Sequence, residues 1–378
     1  MKKQIQTEVP AVSKITVNRK ELEREIAIAK KVIGTGNNLN ICQSVMLTFL
    51  NDNGLALEST NLEHSYLGVI GTQINRKYRL PARAKRILVN LDRLKKIVTA
   101  IPKKTTEIPL EITWDGNGLL VNGTTTIVCG GLIDDYPNRP KLPWGSSYNL
   151  LSYEKLNQVN SIPASDDKRA HIISLYVDTK AGRIVSTDSS RLHIIKTMTV
   201  SHLKPFLFAK NTAKILTIPQ LKNEIGNVRV DDSNAFIETG HGFITTRLIE
   251  SDFPDYKAVV DRDPIAIIST SDKQYMIDVM AEAAGILNEH YRGVAIDTSN
   301  GIVVSAVNPD CGEFSKDIST EFTFDGESFN MAFNSIYIVD ACKCIPDKGL
   351  NLFVLENGPV IAESASGDFQ AAIMPMRI

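Results

Sequence analysis

The sequence lacks the marks of a membrane-spanning or secreted protein. No hydrophobic run approaches the ~18 residues that cross a bilayer. The opening MKKQIQTEVP has two lysines but no hydrophobic block behind them, as a secretory signal would require. The five cysteines are an odd number without a C-x-x-C pair, which argues against a disulfide framework and a zinc site. We therefore expect a cytoplasmic protein with free thiols and no membrane partner.

Recognisable catalytic motifs are also missing. The chain contains no G-x-S-x-G, no H-E-x-x-H and no P-loop, and none of its six histidines is paired as H-x-x-x-H. GTGNN (34–38) lacks the lysine that a phosphate cradle needs. DGNG (115–118) lacks the glutamate of a calcium loop, so a hairpin turn explains it better. We expect a non-catalytic protein that uses neither a metal nor a cofactor.

The charges are unevenly distributed, although their sum is only −1. Residues 1–137 carry a net charge of +6, residues 138–263 carry +3, and residues 264–378 carry −10. This asymmetry favours either a polyanionic partner or a head-to-tail association between chains.

A long internal repeat divides the chain into three parts. LIDDYP (132–137) recurs as LIESDFP (248–254), with the two prolines 117 residues apart. Three further segments share a helical pattern that ends in proline: NLDRLKKIVTAIP (90–102), KNTAKILTIP (210–219) and NSIYIVDACKCIP (334–346). Copies of this length are domain-sized. The predicted domains are 1–140, 141–262 and 263–378.

Within one copy, hydrophobic periodicity predicts two helices and several short antiparallel strands. Asn18, with Glu21 three residues later, resembles a capping box at the start of the first helix. The apolar face of that helix comprises Leu22, Ile26, Ala29, Val32 and Ile33. The second helix presents Leu91, Leu94, Val98 and Ile101, and ends at Pro102. Two helices on antiparallel sheet make each copy an α+β domain, with linkers predicted at 137–147 and 261–264.

Basic side chains recur on the polar faces of these helices. They are Lys20, Arg24 and Lys31 on the first helix, Arg93 and Lys96 on the second, and Lys210 and Lys214 in the middle copy. The third copy has Asp278 and Glu282 at the equivalent spacing instead. A solvated surface would explain the pattern, but its recurrence in two copies favours contact with a nucleic-acid backbone.

Three stretches resemble segments of one family, the bacterial DNA polymerase III β subunit or β sliding clamp. STDSSRL (186–192) resembles its T-D-G-x-R-L segment, and DFPDYKAVV (252–260) resembles its F-P-D-Y turn. MAFNSIYIVDACKCI (331–345) and the terminal IMPMRI (373–378) resemble its F-N-x-x-Y-L-x-D-x-L helix and M-P-M-R-L ending. The resemblance covers the whole chain in order.

This resemblance implies a head-to-tail homodimer, a ring whose three-domain subunits surround duplex DNA with helices lining the hole. The family tethers replicative DNA polymerase and other replication and repair proteins, and a clamp loader opens it with ATP. Contacts with DNA would then be sequence-independent and salt-sensitive. The implied dimer contact joins two stretches that lie in the first and third copies: Thr126, Ile127 and Val128 with Ile286 and Leu287.

The resemblance also implies a pocket, between the second and third domains, that binds short peptides of partner proteins. The matching positions are Ile172, Thr187, Arg191, Leu192, Pro254, Val259, Met374, Pro375, Met376 and Arg377. Methionines suit such a pocket, since a flexible thioether side chain repacks around different peptides. Ser189, Ser190 and Ala258 differ from the family's usual residues, which affects peptide preference.

Other functions remain open at this point. The chain could be an accessory or mobile-element clamp with altered partners. It could also be a nucleotide-processing enzyme built on repeated α+β domains, or a DNA-binding module that forms no ring. Enzymatic turnover and a native mass near twice 41.7 kDa are the observations that separate these hypotheses.

Overall fold

The computed structural model of the chain describes residues 13–34, 39–50, 53–71, 84–160, 162, 169–288 and 292–376. They form two compact units, one within Met1–Tyr153 and Asn211–Leu248, the other within Glu154–Lys210 and Ile249–Ile378. Among these residues, no helix is long and apolar enough to cross a membrane. The boundaries of the three repeated domains stay a prediction.

The first part of the chain confirms both helices predicted there. Asn18 Oδ1 accepts the backbone N–H groups of Lys20 and Glu21, and the predicted apolar face is buried. Asn90 caps the second helix in the same way, and that helix ends before Pro102. The described elements are β1 (Lys14–Asn18), α1 (Arg19–Ile33), β2 (Ser44–Phe49), β3 (Leu55–Thr60), β4 (His64–Ile70), β5 (Arg86–Asn90), α2 (Leu91–Ala100), β6 (Glu107–Ile112), β7 (Gly118–Val121) and β8 (Thr125–Val128).

The middle part of the chain has shorter helices. The predicted linker at 137–147 contains no helix or strand. The described elements are α3 (Tyr153–Asn160), α4 (Ala170–Ile173), β9 (Ser174–Asp178), β10 (Arg183–Thr187), β11 (Arg191–Lys196), β12 (Phe206–Ala209), α5 (Lys210–Leu216), β13 (Val228–Val230), β14 (Asn234–Thr239), β15 (Gly242–Arg247) and α6 (Lys257–Val260).

The last part of the chain resembles the first, since each has a strand, a helix, several strands, a second helix and three strands. Five strands lie between the helices of the last part, whereas four are described between those of the first. Its elements are β16 (Ala266–Thr270), α7 (Lys273–Ala284), β17 (Gly293–Asp297), β18 (Val303–Asn308), β19 (Gly312–Asp317), β20 (Thr323–Gly326), β21 (Asn330–Asn334), α8 (Ser335–Cys344), β22 (Leu350–Val354), β23 (Val360–Glu363) and β24 (Phe369–Ile373). A strand, a helix and then a proline recur as β5–α2–Pro102, β12–α5–Pro219 and β21–α8–Pro346.

The first unit contains two antiparallel sheets. The larger has the order β13-β14-β15-β4-β3-β2-β5, and the smaller has the order β1-β6-β7-β8. Strand β15 joins the segment after Asn211 to β4, with Gly242 opposite Gly68. A Cβ atom on Gly242 would lie 1.7 Å from the carbonyl oxygen of Leu67, so this pairing requires glycine.

The second unit also contains two antiparallel sheets. Their orders are β12-β9-β10-β11-β24-β23-β22-β16-β20 and β19-β18-β17-β21. The final strand β24 pairs with β11, so that Leu192 lies opposite Ala372 and Arg191 opposite Ile373. The C-terminal tail is therefore brought beside the STDSSRL segment. Helices with antiparallel sheets in both units confirm the predicted α+β class.

Candidate functional site

The turn between β10 and β11 is held by its own side chains. Thr187 Oγ1 donates to the Arg191 carbonyl at 2.7 Å and accepts from the Ser189 N–H at 3.1 Å. Asp188 Oδ1 accepts the N–H groups of Ser190 and Arg191, each at 3.0 Å. Ser189 has a φ of 77°, a left-handed conformation that usually requires glycine. The turn is strained at Ser189 and stabilised on both sides of it.

The Arg191 guanidinium lies inside the second unit. Its Nε donates to Asp188 at 2.9 Å, its Nη1 donates to Asp340 on α8 at 2.6 Å, and its Cζ lies 4.2 Å from the centroid of the Tyr337 ring. Its side chain is only 5% exposed. Burial alone would lower the pKa of the guanidinium, but the hydrogen bonds to Asp340 and Asp188 hold that pKa above its ordinary value.

Lys210 corrects one prediction. It was expected to face DNA, but its side chain is buried and Nζ donates to the Thr187 carbonyl at 2.7 Å. Because Lys210 directly follows β12, next to β9 in the sheet, its side chain reaches the end of β10 inside the unit. Lys210 therefore supports the Thr187–Arg191 turn instead of the basic surface.

The C-terminal tail is fixed by its backbone and exposed at its side chains. The Met374 N–H donates to the Ser190 carbonyl at 3.0 Å, and the Met376 N–H donates to the Ala332 carbonyl at 2.7 Å. Met374 and Met376 are nevertheless 42% and 38% exposed, and Pro375 is exposed as well. Arg377, the other predicted tail residue, lies outside the described residues. The tail thus presents flexible apolar side chains from a fixed backbone.

An apolar cluster in the same unit contains two predicted pocket residues. Leu192 and Val259 pack, partly buried, against the buried cluster formed by Val185, Ile194, Tyr256, Val260, Leu355, Ile361 and Ala372. Phe253 stacks on Tyr176 with ring centroids 4.7 Å apart. Ile172 is buried on α4, and Pro254 is exposed beside Phe253.

The segment that carries Pro254 and Val259 is anchored by polar contacts. The Tyr256 hydroxyl donates to Asp178 Oδ2 at 3.0 Å, and Lys257 Nζ lies 2.9 Å from the same oxygen. Burial, together with the hydrogen bond to Asp178, raises the pKa of Tyr256. Arg183 forms a two-pronged ion pair with Asp261 at 3.0 Å. These contacts fix the FPDY turn against β9 and β10.

Four side chains at this site are not among the predicted pocket residues. Tyr176 and Phe253 line the apolar cluster, and Tyr337 and Asp340 hold Arg191. Tyr337 and Asp340 stand three residues apart on α8, so they share one helix face. The three-residue spacing of Tyr337 and Asp340 within MAFNSIYIVDACKCI is the sequence feature that could have indicated their shared position on the helix.

Comparison with known proteins identifies the arrangement. The family model for the DNA polymerase III beta subunit, C-terminal domain, matches residues 263–377. The beta sliding clamp of Pseudomonas putida is 23% identical over 380 residues, covering 96% of this chain and 99% of that protein. The resemblance to the β sliding clamp is confirmed.

Solved clamp structures show the same fold. The DNA polymerase III subunit beta of Pseudomonas aeruginosa, crystallised with griselimycin, has a TM-score of 0.82 and 21% identity, covering 97% of this chain and all of that one. The polymerase sliding clamp of Bacillus subtilis has a TM-score of 0.81 and 15% identity, covering 97% and 99%. The clamp fold therefore extends over nearly the whole chain.

Five of the predicted basic side chains have no ion pair among the described residues, whereas Arg24 and Lys210 have partners within the protein. Lys20, Arg93 and Lys96 are exposed, Lys31 and Lys214 are half-buried, and none of them has a carboxylate within 4 Å among the described residues. We call Lys20, Lys31, Arg93 and Lys96 the basic face of the first unit. Lys30, which is not in this group, forms an ion pair with Asp92 at 2.6 Å and ties α1 to α2.

Arg24 does not belong to the basic face, which corrects a second prediction. Its guanidinium forms ion pairs with Glu25 and with Glu224, and its side chain is largely buried. Glu25 also accepts the Tyr66 hydroxyl, and burial raises the pKa of Glu25. Arg24 therefore links α1 to the segment before β13. The carboxylates of Glu25 and Glu224 offset its positive charge, which weakens its attraction for an outside anion.

The predicted dimer residues, except the buried Ile127, are at least partly accessible in the clamp fold. β8 is an edge strand of its sheet; Ile127 points into the core, while Thr126 is exposed and Val128 is 65% exposed. Ile286 and Leu287 follow α7 and are half-buried. In the second unit, β19 is likewise an edge strand. The pairing of these surfaces between two copies stays a prediction.

Proposed function

We propose that this chain is a DNA sliding clamp, a non-catalytic processivity factor that encircles duplex DNA and tethers a replicative DNA polymerase. The single observation that carries the proposal is the relation to beta sliding clamps over 96% of the chain. The fold shared with solved clamps supports it.

Ring closure would use two different edges of the chain. Among the described residues, β8 in the basic first unit and β19 in the acidic last third each have one side without a strand partner. A contact between unlike surfaces is heterologous, and it gives a closed ring when the rotation closes after two copies. Ile286 and Leu287 would add apolar area, while the opposite net charges would favour the head-to-tail orientation.

DNA would be held by charge without recognition of base sequence. The basic face supplies four cations from α1 and α2 that have no ion pair among the described residues, and Lys214 supplies another from α5. Lysine and arginine contacts to phosphates are sequence-independent and salt-sensitive, which suits a protein that slides.

Partner peptides would dock on the surface formed by the tail and the apolar cluster. Met374, Met376, Leu192 and Val259 offer partly exposed apolar area next to a fixed turn. A clamp loader and repair proteins would compete with the polymerase for this same surface, because each would bring a short apolar peptide. Methionine side chains allow such a surface to accept different sequences.

The test combines mass and topology. Light scattering should give about twice 41.7 kDa, and protein loaded by a bacterial clamp loader with ATP should stay on nicked circular DNA. Linearising that DNA should release the protein, because a ring slides off an end. A monomeric mass, or equal retention on both DNA forms, contradicts the proposal. Nuclease or nucleotidase turnover would favour the enzyme alternative.

A further inference from the structure

The Thr187–Arg191 turn is held by a helix that is distant from it in sequence. Arg191 donates to Asp340 of α8 at 2.6 Å and lies over the Tyr337 ring. The same turn holds the tail, since the Ser190 carbonyl accepts the Met374 N–H. Thus α8, the turn and the tail are joined by one chain of contacts.

The Arg191 side chain is buried and makes its ion pairs within the protein. It is 5% exposed, its Nε donates to Asp188, and its Nη1 donates to Asp340. A guanidinium in this state has little surface to offer a peptide, although the resemblance places it in the pocket. Its contacts instead set the shape of the backbone that carries Leu192 and supports Met374.

We propose that Asp340 is a positioning residue of the peptide-binding surface. Through Arg191 it keeps the strained turn, and with it the tail, in the conformation that accepts a partner peptide. This inference rests on the proposed function and adds to it a residue that does not touch the peptide.

The strain at Ser189 explains why such support is needed. A serine with a φ of 77° keeps that conformation only while its surroundings over-determine it. Without the Asp340 carboxylate, Arg191 keeps Tyr337 as a ring contact, but its remaining ion pair is with Asp188, a residue of the same turn, so the turn can sample other shapes. Affinity then falls by the fraction of molecules that remain competent to bind.

The expected signature is kinetic. A smaller competent fraction lowers the association rate constant and leaves the dissociation rate constant unchanged. Loss of a direct peptide contact has the opposite signature, because it raises the dissociation rate constant. The two roles are therefore distinguishable with a single labelled peptide.

The experiment compares full-length variants by stopped-flow fluorescence with a labelled short peptide from a bacterial replicative polymerase. Asp340→Asn should lower the association rate constant by about tenfold, as for a turn that is competent about a tenth of the time. Asp325→Asn, an exposed aspartate on β20, is the matched control and should behave as the parent. Arg191→Lys should show the Asp340→Asn signature, because one ammonium cannot bridge both aspartates.

A double variant completes a double-mutant cycle that tests whether Asp340 acts through Arg191. Asp340→Asn combined with Arg191→Lys should be no slower than either single variant, since both break the same link. Association unchanged within twofold, or faster dissociation with unchanged association, overturns the positioning role. If Asp340→Asn does not fold, Arg191→Lys decides by the same criteria. A parent protein that binds no peptide overturns the proposed pocket itself, and this inference with it.

Discussion

Replacing Met374 and Met376 by alanine tests whether the tail is a binding surface or part of the core. Fully burying a methionine contributes about 1.5–3 kcal/mol. Because 42% and 38% of these residues remain exposed, a docked peptide can gain about 1 kcal/mol from each. The double variant should therefore bind a polymerase peptide about 30-fold more weakly, which corresponds to about 2 kcal/mol.

Stability should change less than for a core substitution. The buried part of each methionine is worth about 1–2 kcal/mol of unfolding free energy, whereas emptying a core site costs about 2–5 kcal/mol. The backbone hydrogen bonds of Met374 and Met376 do not depend on the side chains and should keep the tail in place. The double substitution also leaves Arg377 unchanged, so it isolates the methionine side chains.

Met198 provides a matched control. It is 44% exposed in the same unit and follows the opposite end of β11, about 20 Å along the strand from Arg191. Met198→Ala should lower stability by a similar amount per residue and leave peptide affinity unchanged. The assay is fluorescence anisotropy titration paired with calorimetric melting of each variant. Unchanged affinity in the double variant, or equal weakening by Met198→Ala, would refute the assignment of the tail.

Three further predictions follow from the structure. Changing the four residues of the basic face to alanine should reduce the steepness of log affinity against log salt on duplex DNA by about 4. Arg24→Ala should barely change that slope, and a change per residue equal to that of the basic face would contradict the pairing of Arg24. Val128→Asp, or Ile286→Asp with Leu287→Asp, should give soluble monomers by light scattering, because an unpaired charge is costly to bury; a persistent dimer would exclude these positions. Burial lowers the pKa of His64 to about 4, against 6.5 ordinarily, so only the unfolded chain takes up the proton between these values. Proton uptake by His64 in the unfolded chain should therefore cost about 3 kcal/mol of unfolding free energy as pH falls from 6.5 to 4. Burial also lowers the pKa of His193 to about 4, so His64→Asn should remove the His64 part of this loss and leave the His193 part; a denaturant-measured pH profile identical to the parent's would count against it.

Local features of this chain could be predicted from its residues alone. Asn18, Asn90 and Asn334 each cap a helix through their side chains, and Pro102 follows the end of α2 as expected. The DGNG turn, with Gly116 at a φ of 75°, joins β6 to β7. These features depend on interactions between residues close in sequence, which a periodic pattern expresses directly.

The accessibility of the charges was decided by the tertiary structure. Lys20 and Arg24 lie one turn apart on the same face of α1. Of these two, Arg24 forms an ion pair with Glu224, which is 200 residues away in sequence. Lys210 has the helical spacing of a surface lysine, yet it is buried, and its Nζ donates to the Thr187 carbonyl. A helical wheel shows which side chains share a face, but it does not show which residues approach that face.

The composition of the candidate site shows the same division. The STDSSRL, FPDY and IMPMRI segments identify its parts, because their turn residues and apolar side chains are visible in the sequence. Their assembly depends on the pairing of β24 with β11 and on the ion pair between Arg191 and Asp340, contacts between residues about 150 or more positions apart. Such long-range contacts form only when sheets and helices pack together, so the sequence alone determined the segments and the tertiary structure determined the site.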